Sequence, residues 1–398
     1  MAAYWIDFFS LLARWTHVVV GIAWIGASFY FVWLDNHLDA PSDDALKAKG
    51  VGGELWAVHG GGFYNPQKYG PAGPGRVADT LHWFYWEAYS TWLTGFLLLC
   101  LVYYRSPEVS LLDPTRLAPG GFGGVAVGLG FLIGGWLIYH ALCRSPLARS
   151  ERALGLSIAG LLGLAAWALC QTFSGRGAFL HFGAMLGTMM VANVFFVIIP
   201  GQRKMVAAIR AGQLPDPIHG KHGKQRSVHN TYFTLPVLFT MISNHYATTY
   251  GGPLNWIALI LLCVGGAAIR HWFVLRHRAR ERDGKTSPVA LIIGLAAIVA
   301  TAAMLQPMTA ASTAAAPVTA ERAQAILAAR CTTCHAEQPR FAGLAAAPNG
   351  AMFDTPERAH AKRSLIAAQL QSGAMPPGNL TAMTPDERAE LLRWASTP

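Results

Sequence analysis

Long apolar runs separated by basic loops occupy the chain up to about residue 305, and a more polar, helix-patterned tail follows. Eight runs approach the length a helix needs to cross a bilayer: 8–33, 80–104, 121–142, 153–171, 178–199, 230–249, 254–273 and 288–306. The first run is too long for a cleaved signal and lacks a basic segment ahead of it. The tail carries two helix-start signals. Thr319 precedes a helix with Glu321 in its first turn and Ile326 and Leu327 on its apolar side; Thr384-Pro385-Asp386-Glu387 is a capping box ahead of Leu391, Leu392 and Trp394. The pattern predicts an all-α chain: an eight-helix transmembrane bundle over residues 1–305, a flexible Ala/Thr/Pro tether over 306–318, and a small helical domain over 319–398.

Composition supports this division, since 53% of residues are hydrophobic and only 13% charged although the tail is polar. The net charge of +10 would suit nucleic acid if it were clustered in a soluble domain, but its placement excludes that partner. With the N-terminus outside, the inner loops 34–79, 143–152, 200–229 and 274–287 hold eighteen Lys and Arg, against Arg105, Arg116 and Arg176 outside. That asymmetry is the positive-inside pattern, and an even number of spans puts both termini on the outer face. Cys100, Cys143, Cys170 and Cys263 stand singly in apolar stretches and read as small hydrophobes. The loop 35–79 is long for a connection, and its His59-Gly60-Gly61-Gly62-Phe63-Tyr64 and Pro/Gly run favour an ordered lid.

The tail owes its chemistry to Cys331-Thr332-Thr333-Cys334-His335. Two cysteines two residues apart with an adjoining histidine form the attachment signal for c-type haem: each thiol takes one vinyl group and the imidazole ligates the iron. A structural zinc site would need a second ligand pair. Met375, in Ala374-Met375-Pro376-Pro377-Gly378, is the expected distal iron ligand, with Met352 and Met383 as rivals. Residues 319–398 therefore read as a class-I-like cytochrome c domain with one covalent haem c. Haem joins such motifs on the outer face of the bacterial inner membrane, which agrees with the charge pattern.

Ionisable groups inside membrane spans are costly and are candidates for function. In the expected orientation Arg14, His17, His181 and His245 lie toward the outer side, and His82, Glu87, His140, His229, Arg270 and His271 toward the inner side. His17, Glu87, His181 and His245 are the catalytic candidates; Arg14, Asn193, Asn244, His229 and Arg270 are the substrate-binding candidates. Glu87 also has a structural reading, as partner of Arg270 or of a histidine. His17 and His181 recur at similar depth, so a second, non-covalent haem between them is an alternative to a substrate contact. Gly134-Gly135-x-x-Ile138-x-His140 matches Gly265-Gly266-x-x-Ile269-x-His271, and His82 and His229 each stand at the start of a span, which suggests a duplication of four spans into eight.

The whole chain resembles the integral-membrane urate oxidases that end in a cytochrome c, also called urate hydroxylases. The likeness is carried by Trp15-Thr16-His17 with Trp24-Ile25-Gly26, by the His59–Tyr64 segment, by His229-Asn230-Thr231-Tyr232-Phe233-Thr234-Leu235-Pro236, and by Met241-Ile242-Ser243-Asn244-His245-Tyr246. It implies oxidation of urate to 5-hydroxyisourate in purine breakdown, with oxygen from water and without hydrogen peroxide. It also implies electron flow through haem c to a downstream cytochrome c or terminal oxidase. A membrane dehydrogenase for another donor such as a quinol, and an electron-relay protein without catalysis, are the competing expectations.

Overall fold

The computed structural model describes residues 2–70, 73–117, 120–280, 286–306, 317–342 and 344–396. The chain is mostly helical. It opens with α1 (Ala2–Asp35), then α2 (Asp44–Ala48) and four short strands, β1 (Val51–Glu54), β2 (Ala57–His59), β3 (Gly62–Tyr64) and β4 (Gln67–Tyr69). The long helices are α3 (Trp86–Leu98), α5 (Gly121–Arg144), α6 (Glu151–Thr172), α7 (Gly175–Asn193), α8 (Ile199–Arg210), α9 (Pro217–Ser243), α10 (Asn255–Arg280) and α11 (Val289–Met304), with the short α4 (Pro107–Ser110) after α3. The tail contributes α12 (Ala320–Arg330), α13 (Pro356–Ala361), α14 (Arg363–Gln371) and α15 (Pro385–Ser396). Most of the expected tether, 307–316, lies outside the described residues.

Each expected span is largely helical, and among the described residues five helices are long and apolar enough to cross a membrane: Tyr4–Asp35, Gly121–Arg144, Glu151–Thr172, Gly175–Arg210 and Asn255–Arg276. The boundaries of the others differ from expectation for local reasons. The second helix starts at Trp86, so His82 stays in the preceding segment against Phe84, and its last turn, Leu99–Tyr104, is π-helical. The sixth helix starts thirteen residues early, because the Asp216 side chain accepts from Ile218 N and Pro217 takes the first helical position. It also ends early, at Ser243, leaving Asn244 and His245 in the turn that follows. Between α7 and α8 a π-helical turn, Val194–Ile198, comes just before Pro200, whose missing N–H interrupts the regular ladder.

The loop after α1 is ordered, as expected, but by strand pairing. β1 pairs antiparallel with β4, and β2 with β3 around Gly60 and Gly61, whose φ angles of 58° and 80° suit a tight hairpin turn that only glycine enters freely.

α7 is the buried centre of the bundle and packs on α5, α6 and α9. Small residues permit the close approach. A Cβ on Gly183 would collide with the Thr240 hydroxyl of α9, and one on Gly135 of α5 would sit 2.6 Å from Met185. The two glycines matched in the sequence both make close helix contacts, Gly135 with Met185 of α7 and Gly266 of α10 with Leu235 of α9, but these partners do not correspond in a four-plus-four repeat. His82 and His229 break the correspondence, since the first precedes its helix and the second lies inside one.

The tail packs around Ala323, Ile326, Leu327, Phe353, Ile366, Leu370, Met383 and Leu391. Both expected caps form: Thr319 accepts from Arg322 N, and Thr384 and Glu387 exchange backbone bonds of 3.1 and 2.9 Å. The tail sits on one end of the bundle, hereafter the capped end. There a Cβ on Gly373 would lie 2.7 Å from Gly251 Cα, and one on Gly378 would lie 2.7 Å from Leu112 O.

Two predictions follow from this packing. Gly183→Leu overpacks the α7–α9 contact and lowers stability by about 1–3 kcal/mol, read as a lower melting temperature in detergent. In the tail, Arg330 bonds the Glu387 carboxylate at 3.0 Å and holds its carboxyl below the usual range, so the pair stabilises above the ordinary carboxylate pKa and is lost as pH falls through the lowered value. Glu387→Gln should therefore cost stability at pH 7, and the gap from wild type should shrink below about pH 4 in pH-dependent melts of the full chain.

Candidate functional site

Three groups of polar side chains emerge. The first lies in the tail. Cys331 and Cys334 follow the end of α12 as free thiols, and His335 N donates to Cys331 O at 2.9 Å, folding the motif into one turn. His335 Nδ1 donates to the Ala351 carbonyl at 2.8 Å, which leaves the Nε2 lone pair for a metal. Phe353 packs on the imidazole with ring centres 4.9 Å apart. Burial pushes the Cys331 thiol up to about 12. Met375 is half-buried, and its carbonyl accepts from Arg388 at 2.9 Å, while its rival Met383 is spent in the tail's core. This donor set, two adjacent thiols and one imidazole with a fixed free nitrogen, fits covalent haem c. Among the described residues no cluster of three His, Cys, Asp or Glu offers an alternative metal site.

The second group lies in the half of the bundle away from the tail. Asn193, fully buried, donates to Tyr139 OH at 3.0 Å and to Asn230 Oδ1 at 2.8 Å, and accepts from Arg226 Nη1 at 3.4 Å. The Tyr139 hydroxyl is 2.8 Å from His229 Nδ1; Arg226 also donates to His140 Nδ1 at 3.4 Å and stacks over the Tyr139 ring at 5.0 Å. Asn193 and His229 were expected to contact substrate, yet they are tied into a network in which no buried polar atom lacks a partner. Arg226, 2% exposed, escaped the sequence reading because it falls in a run taken as a basic loop; the early start of α9 carries it into the bundle. Tyr139 and Asn230 look like ordinary span residues, and only packing shows them joined.

Near this network, two buried atoms stay without partners. They are Glu87 Oε2 and Arg270 Nε, which do not pair with each other as one structural reading of Glu87 would have it. Arg270, 8% exposed, lies instead over the Phe29 ring at 4.1 Å. His271, one residue on, is 2.7 Å from Tyr232 OH.

The third group lies toward the capped end. His17 Nδ1 is 3.0 Å from Thr94 Oγ1, and Thr94 spends its own proton on Ser90 O at 2.7 Å. His17 Nδ1 is therefore the donor, the ring also comes within hydrogen-bond reach of the Thr91 backbone, and Nε2 has no side-chain partner among the described residues. Gly95 makes room for the ring, since a Cβ there would meet His17 Cε1 at 2.9 Å. His181 is different: Nδ1 donates to Gly177 O at 2.9 Å, Nε2 is 3.0 Å from Tyr104 OH, and the residue is fully buried. Both His181 nitrogens are thus engaged, Nε2 with the Tyr104 hydroxyl, and the neighbours of His181 differ from those of His17. Asn244 accepts from Tyr103 OH at 2.9 Å, and Arg176 Nε donates to that hydroxyl at 3.1 Å. His245 is exposed beyond the end of α9 and outside the apolar core where it was expected. Arg14, one turn nearer the end than His17, lines a cavity of about 310 Å³ with Ile6, Ser10, Leu101, Val102 and Arg105.

One known family matches this bundle. A model described as urate oxidase N-terminal matches residues 3–305, the whole run of apolar helices. The chain belongs to that family. No curated protein and no solved structure matches it. Membership in the urate oxidase family supports an oxidoreductase acting on urate and makes the bundle, not the tail, the place to seek the substrate. The match stops at Leu305, one residue past the end of α11, so the family says nothing of the tail.

On the expectation that the tail carries haem c, Met375→Ala should leave haem attached through Cys331 and Cys334 but lower its reduction potential, because a thioether ligand raises it. Cys331→Ala or Cys334→Ala should leave single-thioether haem, visible as a shifted pyridine-haemochrome band.

Proposed function

We propose that this urate oxidase family member oxidises urate to 5-hydroxyisourate in the membrane, with water as the source of oxygen and haem c as the first electron acceptor. The observation that carries the reading is the pairing of a urate oxidase bundle with a docked tail whose thiols and imidazole suit haem c. The balance is urate plus water giving 5-hydroxyisourate, two protons and two electrons, so dioxygen is not a reactant and peroxide is not a product. Held by Cys331, Cys334, His335 and Met375, haem c would take the electrons singly and hand them to a downstream cytochrome c or terminal oxidase.

The bundle residues bind and move protons. Of the catalytic candidates, His17 is best placed, since Nδ1 is anchored on Thr94 and Nε2 is free to take a proton as water attacks. His181, closed by Gly177 and Tyr104, holds the packing beneath Tyr104. Glu87, two turns deeper on α3 than Thr94 and with one oxygen unpartnered, is the second proton acceptor. The closed network of Arg226, Asn193, Tyr139 and His229 fixes the bundle's far half. In the membrane, the capped end faces the periplasm of a bacterial inner membrane, which places the haem motif where haem c is attached and both termini outside.

Anaerobic urate should bleach the oxidised haem spectrum and raise the α-band of the purified protein, and product formed in ¹⁸O-water should carry the label. Stoichiometric peroxide in an aerobic assay would sink the scheme. His17→Gln should lower kcat by about 10²–10⁴-fold while haem content and reduction by ascorbate stay unchanged.

A further inference from the structure

The cavity between α1 and the π-helical end of α3 has no assigned role. Its walls are Ile6, Ser10 and Arg14 from α1 and Leu101, Val102 and Arg105 from the segment ending α3. Two arginines, both solvent-accessible, thus line one space of about 310 Å³, ample for a planar purine anion. Among the described residues neither arginine has a carboxylate within ion-pair distance, although six other arginines and lysines in the chain do. The π-helical turn Leu99–Tyr104 widens the helix at this point, a device that recurs where helices make room for ligands. The positions also agree with the chemistry. Arg14 and His17 are three residues apart on α1 and share a helix face, so the free His17 Nε2 lies one turn below the cavity. On the other side Tyr103, the neighbour of Val102, connects through Asn244 to the turn ending at Gly251, which the tail's Gly373 touches.

We propose that Arg14 and Arg105 form the binding site for the substrate anion, a planar oxyanion held by two guanidinium forks at the capped end of the α1–α3 seam. The proposal rests on the urate reading above and goes beyond it by naming the site. Guanidinium suits the task because it stays charged and pairs bidentately with planar oxyanions. It also accounts for arginines at the end of the bundle whose own loops hold few basic residues: Arg14 and Arg176 act on Tyr103 and Arg105 follows it by two residues, while most of the bundle's Lys and Arg lie in the opposite loops. The same chemistry would accept a lipid headgroup phosphate, and the experiment separates the two sources.

Equilibrium dialysis with labelled urate, in parallel with anaerobic haem reduction, is carried out on the full-length holoprotein, its Arg14→Gln and Arg105→Gln variants, and Arg14→Lys. Samples are delipidated in detergent, in phosphatidylcholine nanodiscs, and in nanodiscs containing phosphatidylglycerol. Each glutamine variant should weaken urate binding and raise KM roughly tenfold or more, with Arg14→Lys in between and reduction by ascorbate unchanged. Unchanged urate affinity in both glutamine variants overturns the site. The same result with a phosphatidylglycerol-dependent rise in melting temperature that the variants lose assigns the cavity to lipid. Wild-type protein that binds urate without haem reduction overturns the redox reading, and the site is then judged by dialysis alone. Wild-type protein that binds no urate overturns both. If a glutamine variant fails to fold, urate must protect Arg14 and Arg105 of wild type from phenylglyoxal, and absence of protection overturns the site.

Discussion

The close approach of α7 to α9 sets the rest of the bundle. Gly183 lets the α9 backbone carry Thr240 against α7, and Gly135 lets Met185 sink into α5. In a bilayer there is little hydrophobic drive between helices, so association depends on such van der Waals contact and on internal hydrogen bonds. Once α7 is fixed, its side chains at two depths acquire their partners: His181 meets Tyr104 of α3, and Asn193 meets Tyr139 and Asn230. The polar residues of α7 are thus paired by the same approach that buries its apolar ones.

Polar satisfaction then separates scaffold from site. In the Arg226–Asn193–Asn230–Tyr139–His229 group each fully buried side-chain donor and acceptor answers another, with His229 joined through Nδ1, and such a network specifies packing. Along the α1–α3 seam the accounting stays open. His17 keeps a free nitrogen, Glu87 an unpartnered oxygen, and Arg14 and Arg105 line an accessible cavity. An unmet polar group in a membrane bundle is expensive, so a line of them down one seam is where a polar ligand lowers the free energy most.

The tail depends on a separate core and two capped helices, and it meets the bundle through glycines. Gly373 and Gly378 bring the segment around Met375 against Gly251 and Leu112 at the backbone level, with Ser174 alongside. Arg388 ties Leu370 O to Met375 O and fixes the loop that does the touching. The residue expected to ligate the haem iron therefore sits beside the bundle's capped end, where His17 and the arginine cavity also lie.

The sequence by itself determined the helices, because period and hydrophobic length are local properties: every expected span is largely helical, and both caps of the tail form where Thr319 and Thr384 signalled them. It also marked the candidates for chemistry, since Cys331-Thr332-Thr333-Cys334-His335 is a contiguous motif and a charge in an apolar run stands out. Boundaries shifted where a cap competed with hydropathy, as when Asp216 and Pro217 began α9 early and carried Arg226 inward. Which polar residues would be spent on one another was decided only by tertiary structure. His17 and His181 look equivalent in the sequence, yet Thr94 leaves one with a free nitrogen while Gly177 and Tyr104 close the other. The physical reason is that hydrogen-bond satisfaction is a property of pairs far apart in the chain. The availability of a side chain for chemistry is what remains after those pairs have formed.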